Sequence, residues 1–314
     1  MKRLKMAVIG VGFWGRNHVR VLDELTDVEL IAVCDVNRER AKAVSEKYGL
    51  KSYGESLEMY RKEDIDAVTI CVWSSRLAEE ALKALKYGKH VLVEKPMANS
   101  VREAKHVLKM AESKKLKLSV GFIERFNPGV RRVKKAIEDG LLGSIVSATA
   151  KRVSKWPQRI GDVGVVKDTA IHDIDIMRFI FNEEPVAVYA RAGTLQHEKF
   201  EDYAQIMLAF PNNKTAFLEA NWLTPYKVRK LTITGSNAIV SLDYITQKMT
   251  IETSGQTLTP RYEWEEPLKM ELQHFVESIL NDKEPTVTGM DGVRALEIAE
   301  AALKSAAEGR LVKI

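Results

Sequence analysis

The sequence predicts an α/β protein in which a doubly wound parallel sheet is followed by an α+β domain with a large, mostly antiparallel open sheet. Three observations support this fold class. An apolar strand runs directly into a glycine-spaced turn near the N-terminus, and strand-like and helix-like segments alternate from there to residue 122. Longer segments that alternate apolar and polar residues fill much of the remaining chain. The first pattern is typical of a parallel sheet covered on both faces, and the second of an antiparallel sheet covered on one.

The first strand ends in the turn Gly10-Val11-Gly12-Phe13-Trp14-Gly15. Gly10 permits the tight turn, Gly12 lets the backbone approach a pyrophosphate, and Gly15 lets the next helix pack closely on the strand. Phosphates would bind at the positive N-terminal end of that helix. Asp35 follows about twenty residues later at the end of the second strand, where a carboxylate can hold a ribose 2′-hydroxyl. These features predict a Rossmann dinucleotide site, and a glycine turn without a ligand is the alternative.

The charge at Asp35 bears on which dinucleotide binds. A carboxylate here repels the 2′-phosphate of NADP, whereas an arginine such as the nearby Arg38 or Arg40 can accommodate that phosphate. We therefore expect NAD as the cofactor, with NADP as the alternative.

The strands of the N-terminal region are nearly continuous apolar stretches, as expected when helices cover both faces of a sheet. They are predicted at Lys5–Ile9, Glu29–Cys34, Ala67–Val72, His90–Glu94 and Leu118–Phe122. Helices are predicted between them at Arg16–Leu25, Arg38–Tyr48, Leu77–Tyr87 and Val101–Lys114. Ser100 with Glu103 predicts a capped helix start, and Gly49 and Gly88 suit helix C-caps.

After residue 122 the predicted strands alternate and are joined by short turns such as Pro211-Asn212-Asn213. They are Ile145–Val153, Val186–Ala192, Ala204–Phe210, Ala216–Trp222, Lys230–Thr234, Ile239–Leu242 and Lys248–Glu252. Helices are predicted at Pro128–Asp139, Thr169–Phe181, Leu268–Leu280 and Asp291–Ala307. The predicted domains are 1–122, for the dinucleotide, and 123–314, for the substrate and oligomerisation. Because a large open sheet face is unusual in a monomer, we expect a homodimer or homotetramer formed through this sheet.

The composition excludes several other classes of protein. The 48 basic and 43 acidic residues leave a net charge of +5 and are spread along the chain, so a nucleic-acid partner is not indicated. Cys34 and Cys71 lie in apolar segments, which is typical of buried thiols in a reducing compartment. No apolar stretch is long enough to cross a membrane, and we expect a cytoplasmic protein with a small-molecule substrate.

Two short segments carry residues suited to catalysis. Lys95, in Val93-Glu94-Lys95-Pro96, follows a strand of the parallel sheet at its carboxyl end, where ligands bind in this architecture. There a lysine can donate to a substrate oxygen and stabilise developing negative charge. The alternative is a solvated lysine before a turn proline.

The second segment pairs Asp168 with His172, four residues apart and thus on one face of a helix. An acid beside an imidazole can orient it and raise its basicity, as a general base requires. In one alternative, Asp168 is a helix N-cap. In another, the pair ligates a metal, which the lack of a third ligand at matching spacing disfavours, so no metal is expected.

The glycine turn, Asp35, Gly88-Lys89-His90-Val91-Leu92-Val93-Glu94-Lys95-Pro96 and the Asp168–His172 pair together resemble the Gfo/Idh/MocA oxidoreductase family over essentially the whole chain. The resemblance implies NAD(P)-dependent oxidation or reduction at a carbon of a sugar, cyclitol or nucleotide sugar. It implies catalytic roles for Lys95, Asp168 and His172. The implied cofactor-binding residues are Gly10, Gly12, Phe13, Trp14, Gly15, Asp35, Arg38, Val72, Ser74, Glu94 and Lys95.

The chain departs from the family between Val72 and Leu77. Relatives often carry Thr-Pro-Asn followed by a histidine there, whereas this chain has Val72-Trp73-Ser74-Ser75-Arg76-Leu77. The departure affects expected contacts with the nicotinamide and its ribose and leaves the catalytic candidates unchanged.

The segment from Gly121 to Pro128 is similar to family members that act as UDP-N-acetylglucosamine 3-dehydrogenases. Arginine suits a pyrophosphate and tryptophan suits stacking on a ring. The substrate-binding candidates are Arg125, Asn127, Arg152, Trp156, Arg159 and His172. The alternatives are a basic solvated surface at these arginines, an inositol or simple-sugar dehydrogenase, and a dinucleotide-binding regulatory protein without catalysis.

Overall fold

The computed structural model describes residues 3–157 and 161–314. The chain forms two compact units. Unit 1 comprises Met1–Phe122 and Leu268–Val293, and unit 2 comprises Ile123–Pro267 and Arg294–Ile314. The break after residue 122 coincides with the predicted boundary, but the segment 268–293 was predicted in the second domain. It belongs with unit 1 because it packs on the parallel sheet of that unit, where the Ser119 hydroxyl donates to the Val287 carbonyl at 2.9 Å.

Unit 1 is built on a six-stranded parallel sheet in the order β3-β2-β1-β4-β5-β6, which confirms the predicted doubly wound fold. The strands are β1 Leu4–Ile9, β2 Val28–Cys34, β3 Lys51–Tyr53, β4 Ala67–Ile70, β5 His90–Val93 and β6 Leu118–Val120. The helices are α1 Gly15–Glu24, α2 Arg38–Tyr48, α3 Ser56–Lys62, α4 Ser74–Lys86 and α5 Val101–Ser113.

The prediction lacked β3 and α3. Strand β3 is three residues long, and both Lys51 and Ser52 are exposed, so it has no apolar stretch to reveal it. The predicted start of α5 agrees with the structure, since Ser100 Oγ accepts from the Glu103 N–H at 3.3 Å. Gly49 ends α2 in the left-handed conformation that glycine adopts readily.

Unit 2 contains a nine-stranded open sheet in the order β14-β13-β12-β11-β7-β10-β9-β8-β15. Its strands are β7 Ile145–Val153, β8 Ala187–Gly193, β9 Tyr203–Ala209, β10 Thr215–Asn221, β11 Val228–Gly235, β12 Ile239–Asp243, β13 Met249–Glu252, β14 Thr257–Leu258 and β15 Val312–Lys313. Strands β7 and β10 pair in parallel, and the other neighbouring pairs described here are antiparallel, as expected for a mostly antiparallel sheet.

One face of this sheet is covered and the other is open. On the central strand β10, Ala216, Leu218 and Ala220 are buried, whereas Phe217 points to the opposite face and is 47% exposed. This period of two is what places a core on one side only.

The remaining helices are α6 Pro128–Glu138, α7 Ile171–Phe181, α8 Pro267–Leu280 and α9 Gly289–Glu308. Helix α7 was predicted to begin at Thr169, but a π-helical turn, Val166–Ala170, precedes it without a break. Asp168 lies inside this turn, and its own N–H donates to the Gly164 carbonyl at 3.0 Å. It is therefore not the N-cap that the sequence offered as an alternative.

Candidate cofactor and catalytic sites

The glycine turn of unit 1 is shaped by steric exclusion at two of its three glycines. Gly10 has φ +83°, and an added Cβ would lie 2.6 Å from the Cys71 carbonyl oxygen. At Gly15 an added Cβ would lie 1.8 Å from the Gly10 carbonyl oxygen. Only glycine fits at either position, so strand β1 can meet helix α1 at this short distance.

Gly12 differs, because an added Cβ would meet no described atom within 4 Å. The space in front of the turn is therefore open at the point where a pyrophosphate has to approach the backbone. With the N-terminus of α1 beginning at Gly15, the turn fits the phosphates of a dinucleotide. Phe13, in the same turn, is 73% exposed and offers an apolar surface there.

Asp35 is bound directly to the glycine turn. Its Oδ2 accepts from the Val11 N–H at 3.0 Å, and its Oδ1 accepts from the Asn37 N–H at 2.9 Å. Arg40 Nη1 lies 3.3 Å from Oδ2. The carboxylate is thus held at the carboxyl end of β2, where a ribose hydroxyl would meet it. Arg38 packs across Gly54, where an added Cβ would lie 2.7 Å from its Nε, and its contact with the cofactor stays a prediction.

Glu94 forms the centre of a second cluster in unit 1. Trp14 Nε1, from the glycine turn, donates to Glu94 Oε1 at 2.7 Å, and the Lys95 N–H donates to Oε2 at 3.3 Å. The fully buried His18 places Nε2 3.3 Å from Oε1, outside hydrogen-bond geometry. Gly121 leaves room for this carboxylate, because a Cβ there would lie 2.7 Å from Oε1. The glycine turn and the segment that bears Lys95 are therefore linked through one acidic side chain.

Lys95 itself is half-buried and follows β5, and the Lys95–Pro96 peptide bond is cis. The neighbouring strand β4 is followed by Val72 and then by Ser74, the first residue of α4. Val72 Cγ1 would lie 2.9 Å from a Cβ added to Gly10. Both predicted cofactor residues thus lie beyond the carboxyl end of a strand next to β1, as the ends of parallel strands require.

Asp168 and His172 lie on one continuous helical segment of unit 2. Asp168 is 5% exposed, and its Oδ2 accepts from the Thr169 hydroxyl at 3.0 Å. His172, in the first turn of α7, is half-buried. Thr169 Oγ1 in turn accepts a hydrogen bond from Trp222 Nε1. Neither residue was a candidate in the sequence, where the signal was that Thr169 is adjacent to Asp168.

Arg125 and Arg152, predicted to bind substrate, are buried in ion pairs within unit 2. Arg125 donates to both oxygens of Asp175, at 2.7 and 2.6 Å. Arg152 donates to both oxygens of Asp173, at 2.8 and 2.9 Å, and to Glu124 Oε1 at 2.8 Å. These bidentate contacts use the donors that a pyrophosphate would need.

The side-chain amide of Asn127, a third predicted substrate residue, also has hydrogen-bond partners within unit 2. Its side-chain oxygen caps α6 by accepting from the Gly129 N–H at 3.0 Å, and its Nδ2 donates to Glu124 Oε2 and to the Tyr244 carbonyl. These contacts occupy donors of Arg125 and Arg152 and the side-chain amide of Asn127, and substrate binding by the three residues stays a prediction. The acidic partners of the buried arginines lie far along the chain, so sequence spacing does not reveal them.

The buried ion pairs around Arg125 and Arg152 form a charge network, and its charges shift the pKa values of Glu124 and Arg152. Burial alone would raise the pKa of Glu124, but the charges of Arg152 and Arg229, with hydrogen bonds from Arg152 and Asn127, bring it below the usual value of 4.5. Burial works against the charge of Arg152 as well, and Asp173 and Glu124 outweigh it, so its pKa is raised. The charges of Glu124 and Arg152 are thus stabilised by their oppositely charged neighbours.

Trp156 is half-buried and stacks on His197, with ring centroids 5.3 Å apart and an interplanar angle of 21°. Its ring meets Trp222 nearly edge-on, at 5.4 Å and 80°. Arg159, the remaining predicted substrate residue, lies outside the described residues.

Two features are absent from the described part of the chain. No helix in it has the length and apolar character needed to span a membrane. Nor do three or more of its His, Cys, Asp or Glu side chains group in a way that could hold a metal ion.

Comparison with protein families agrees with the geometry of both units. A model described as "Oxidoreductase family, NAD-binding Rossmann fold" matches residues 4–122, and one for the GFO/IDH/MocA C-terminal domain matches residues 130–241. The chain belongs to the Gfo/Idh/MocA oxidoreductase family. This confirms the resemblance based on the glycine turn, the Glu94-Lys95-Pro96 segment and the Asp168–His172 pair, and it confirms NAD as the cofactor.

Individual relatives match along their whole length. An inositol 2-dehydrogenase from Rhizobium meliloti is 30% identical over 332 aligned residues, which cover 99% of each chain. A myo-inositol 2-dehydrogenase from Thermotoga maritima is 27% identical and covers 99% of this chain and 98% of its own. Among solved structures, the UDP-N-acetylglucosamine 3-dehydrogenase from Acidithiobacillus ferrooxidans has a TM-score of 0.89 at 25% identity, covering 98% of this chain and 99% of that one. This Gfo/Idh/MocA protein is thus an NAD-dependent oxidoreductase of the sugar and inositol dehydrogenase type.

Proposed function

We propose that the protein oxidises a ring secondary alcohol of a free cyclitol, with an inositol as the first candidate. Asp168 and His172 lie four residues apart on one helical segment, and this placement carries the proposal for the chemistry. The two inositol dehydrogenases that match over 98–99% of their lengths support the substrate class. Bound NAD would supply the hydride acceptor.

Three side chains are assigned to the reaction. His172 takes the hydroxyl proton of the substrate while the hydride leaves the same carbon, so that a ketone forms. Asp168 orients the imidazole and stabilises its positive charge. Lys95 donates to the substrate oxygen as that oxygen gains negative charge. General base catalysis by His172 contributes roughly 10²–10⁴ to the rate.

The pairing of the buried arginines favours a neutral substrate over a nucleotide sugar. A pyrophosphate needs cationic donors, and Arg125 and Arg152 already donate to Asp175, Asp173 and Glu124 inside unit 2. A polyol needs hydrogen-bond partners but no compensating charge, so the paired arginines do not weaken its binding.

UDP-N-acetylglucosamine remains a second candidate substrate because of the structural similarity to its 3-dehydrogenase. Positive charge for this candidate would come from Lys227 and from Arg229, whose Nη1 lies 3.4 Å from Glu124 Oε1. Burial and the neighbouring charge of Arg229 lower the pKa of Lys227, and an anionic ligand would relieve that repulsion.

The test is turnover with a substrate panel, followed through the absorbance of reduced nicotinamide. We expect NAD reduction with an inositol and not with UDP-N-acetylglucosamine. His172→Ala and Lys95→Met should each lower kcat by at least about 100-fold, and His172→Ala should leave the affinity for NAD unchanged. Turnover with the nucleotide sugar alone would overturn the inositol assignment. Tight NAD binding without turnover on any substrate would instead favour a regulatory protein.

We also propose that the open face of the unit 2 sheet pairs with a second copy of the chain. Phe217 lies on this face with the Lys151–Glu219 ion pair, whose charged atoms are 3.0 Å apart. Opposite charges beside an exposed aromatic ring suit a self-complementary surface. Light scattering should give the mass of a dimer or tetramer, and Phe217→Glu should reduce it. A monomeric mass for the unmodified protein would contradict the proposal.

A further inference from the structure

A chain of two hydrogen bonds ends on the Asp168 carboxylate. Trp222 Nε1 donates to Thr169 Oγ1 at 2.9 Å, and the Thr169 hydroxyl donates to Asp168 Oδ2 at 3.0 Å. The direction of the chain is fixed chemically, because an indole N–H can only donate. Thr169 Oγ1 therefore accepts from Trp222 and has its proton available for Asp168 Oδ2, which accepts it.

The surroundings make both bonds effective. Trp222 is 2% exposed, and its backbone N–H donates to the Asp202 carbonyl at 2.9 Å, which fixes the residue just after β10. Trp156 packs against the indole ring. Water competes little for hydrogen bonds at such a site, so each bond orients its acceptor more strongly than at a surface.

The backbone at Asp168 is unusual in a way that fits this contact. Neighbouring side chains on a regular helix point in different directions, yet Asp168 and Thr169 bond to each other here. Both lie in the π-helical turn Val166–Ala170, and π turns are frequent at functional sites.

We propose that Thr169 and Trp222 are positioning residues that hold the Asp168 carboxylate ionised and oriented for His172. This inference rests on the proposed function, in which Asp168 acts through His172. Neither positioning residue touches the reacting atoms. Thr169 supplies the proton that fixes Oδ2, and Trp222 fixes the rotation of the Thr169 hydroxyl.

The decisive variant is Thr169→Val, which keeps the shape of the side chain and removes the hydroxyl. Losing one hydrogen bond to a charged group should lower kcat about 10-fold to 100-fold. The affinity for NAD should stay near that of the unmodified protein, and the melting temperature should fall by a few degrees because the buried Trp222 Nε1 loses its acceptor. Thr169→Ser should restore kcat, and Thr257→Val, on the exposed edge strand β14, is the matched control for the chemical change.

Trp222→Phe tests the second bond, and the double variant tests whether the two act in series. If they do, Trp222→Phe should lower kcat, and adding it to Thr169→Val should cost little more, because both remove the same constraint. Full activity of Thr169→Val, or equal losses in Thr169→Val and Thr169→Ser, would overturn the inference. If His172→Ala also kept its activity, the proposed function itself would fail, and the two failures are thereby distinguished.

Discussion

The glycine turn of unit 1 and the buried charge network of unit 2 obtain their geometry in opposite ways. In the turn, the backbone at Gly10 and Gly15 lies so close to other backbone atoms that only glycine fits, and the glycine spacing in the sequence shows this directly. In the network, Arg152 and Arg125 are placed by acids 21 and 50 positions away in the chain. Local steric requirements can be recognised in a motif, whereas charge pairing at a distance requires the fold.

The largest effect should come from Gly15→Ala, because its Cβ would lie 1.8 Å from the Gly10 carbonyl oxygen. Backbone atoms cannot move aside cheaply, so we expect a loss of more than about 4 kcal/mol, or failure to fold. Thermal unfolding of the purified variant would measure it.

Gly12→Ala is the matched control, since its Cβ meets no described atom within 4 Å. Its melting temperature should stay unchanged while NAD affinity falls by about tenfold or more, as the methyl group meets the pyrophosphate. Equal melting temperatures for the two alanine variants would show that steric exclusion does not shape the turn.

Arg152→Met should destabilise the protein by about 3–5 kcal/mol, because it leaves buried Asp173 without its cation and Glu124 with Arg229 alone. Lys151→Met, on the open face of the same strand, should cost less than about 1 kcal/mol. Urea unfolding of both variants measures the difference. A stable Arg152→Met protein with a raised KM would instead mean that Arg152 binds substrate.

Acid should weaken the charge network through Glu124. Its pKa is lower in the folded protein than its usual 4.5, so its contribution to stability is present above that pH and is lost as the pH falls through the folded value. We expect Glu124→Gln to be less stable at neutral pH and to lose less stability than the unmodified protein below pH 4.5. Parallel loss of stability in both proteins, followed by melting temperature against pH, would argue against this role.

The smallest effect should be at Asp35, the side chain that links the glycine turn to cofactor choice. Asp35→Ser removes the charge that repels a 2′-phosphate and should shift the NAD-to-NADP affinity ratio about tenfold toward NADP. Arg40→Ala removes only a partly exposed ion-pair partner and should leave the preference for NAD intact. Titration with both dinucleotides distinguishes these outcomes.

The features that differ from the prediction share a physical cause. Strand β3 is short and polar, and its place at the sheet edge depends on pairing with β2. The segment 268–293 was assigned by its position in the chain, but packing against β6 places it in unit 1. The π turn at Asp168 has no residue signature, because its backbone is set by its surroundings.

The class of both sheets, the glycine turn, Asp35 and the candidates Lys95, Asp168 and His172 can be recognised in the amino-acid sequence alone. These features depend on hydrophobic period, chain direction at strand ends and the size of single residues, all of which are local. Other contacts depend on the folded chain: Arg125 and Arg152 are internal ion-pair partners, Glu94 joins Trp14 to the Lys95 segment, and Trp222 reaches Asp168 through Thr169. The energy of a polar side chain depends on its neighbours in space, and folding brings those neighbours from distant parts of the chain.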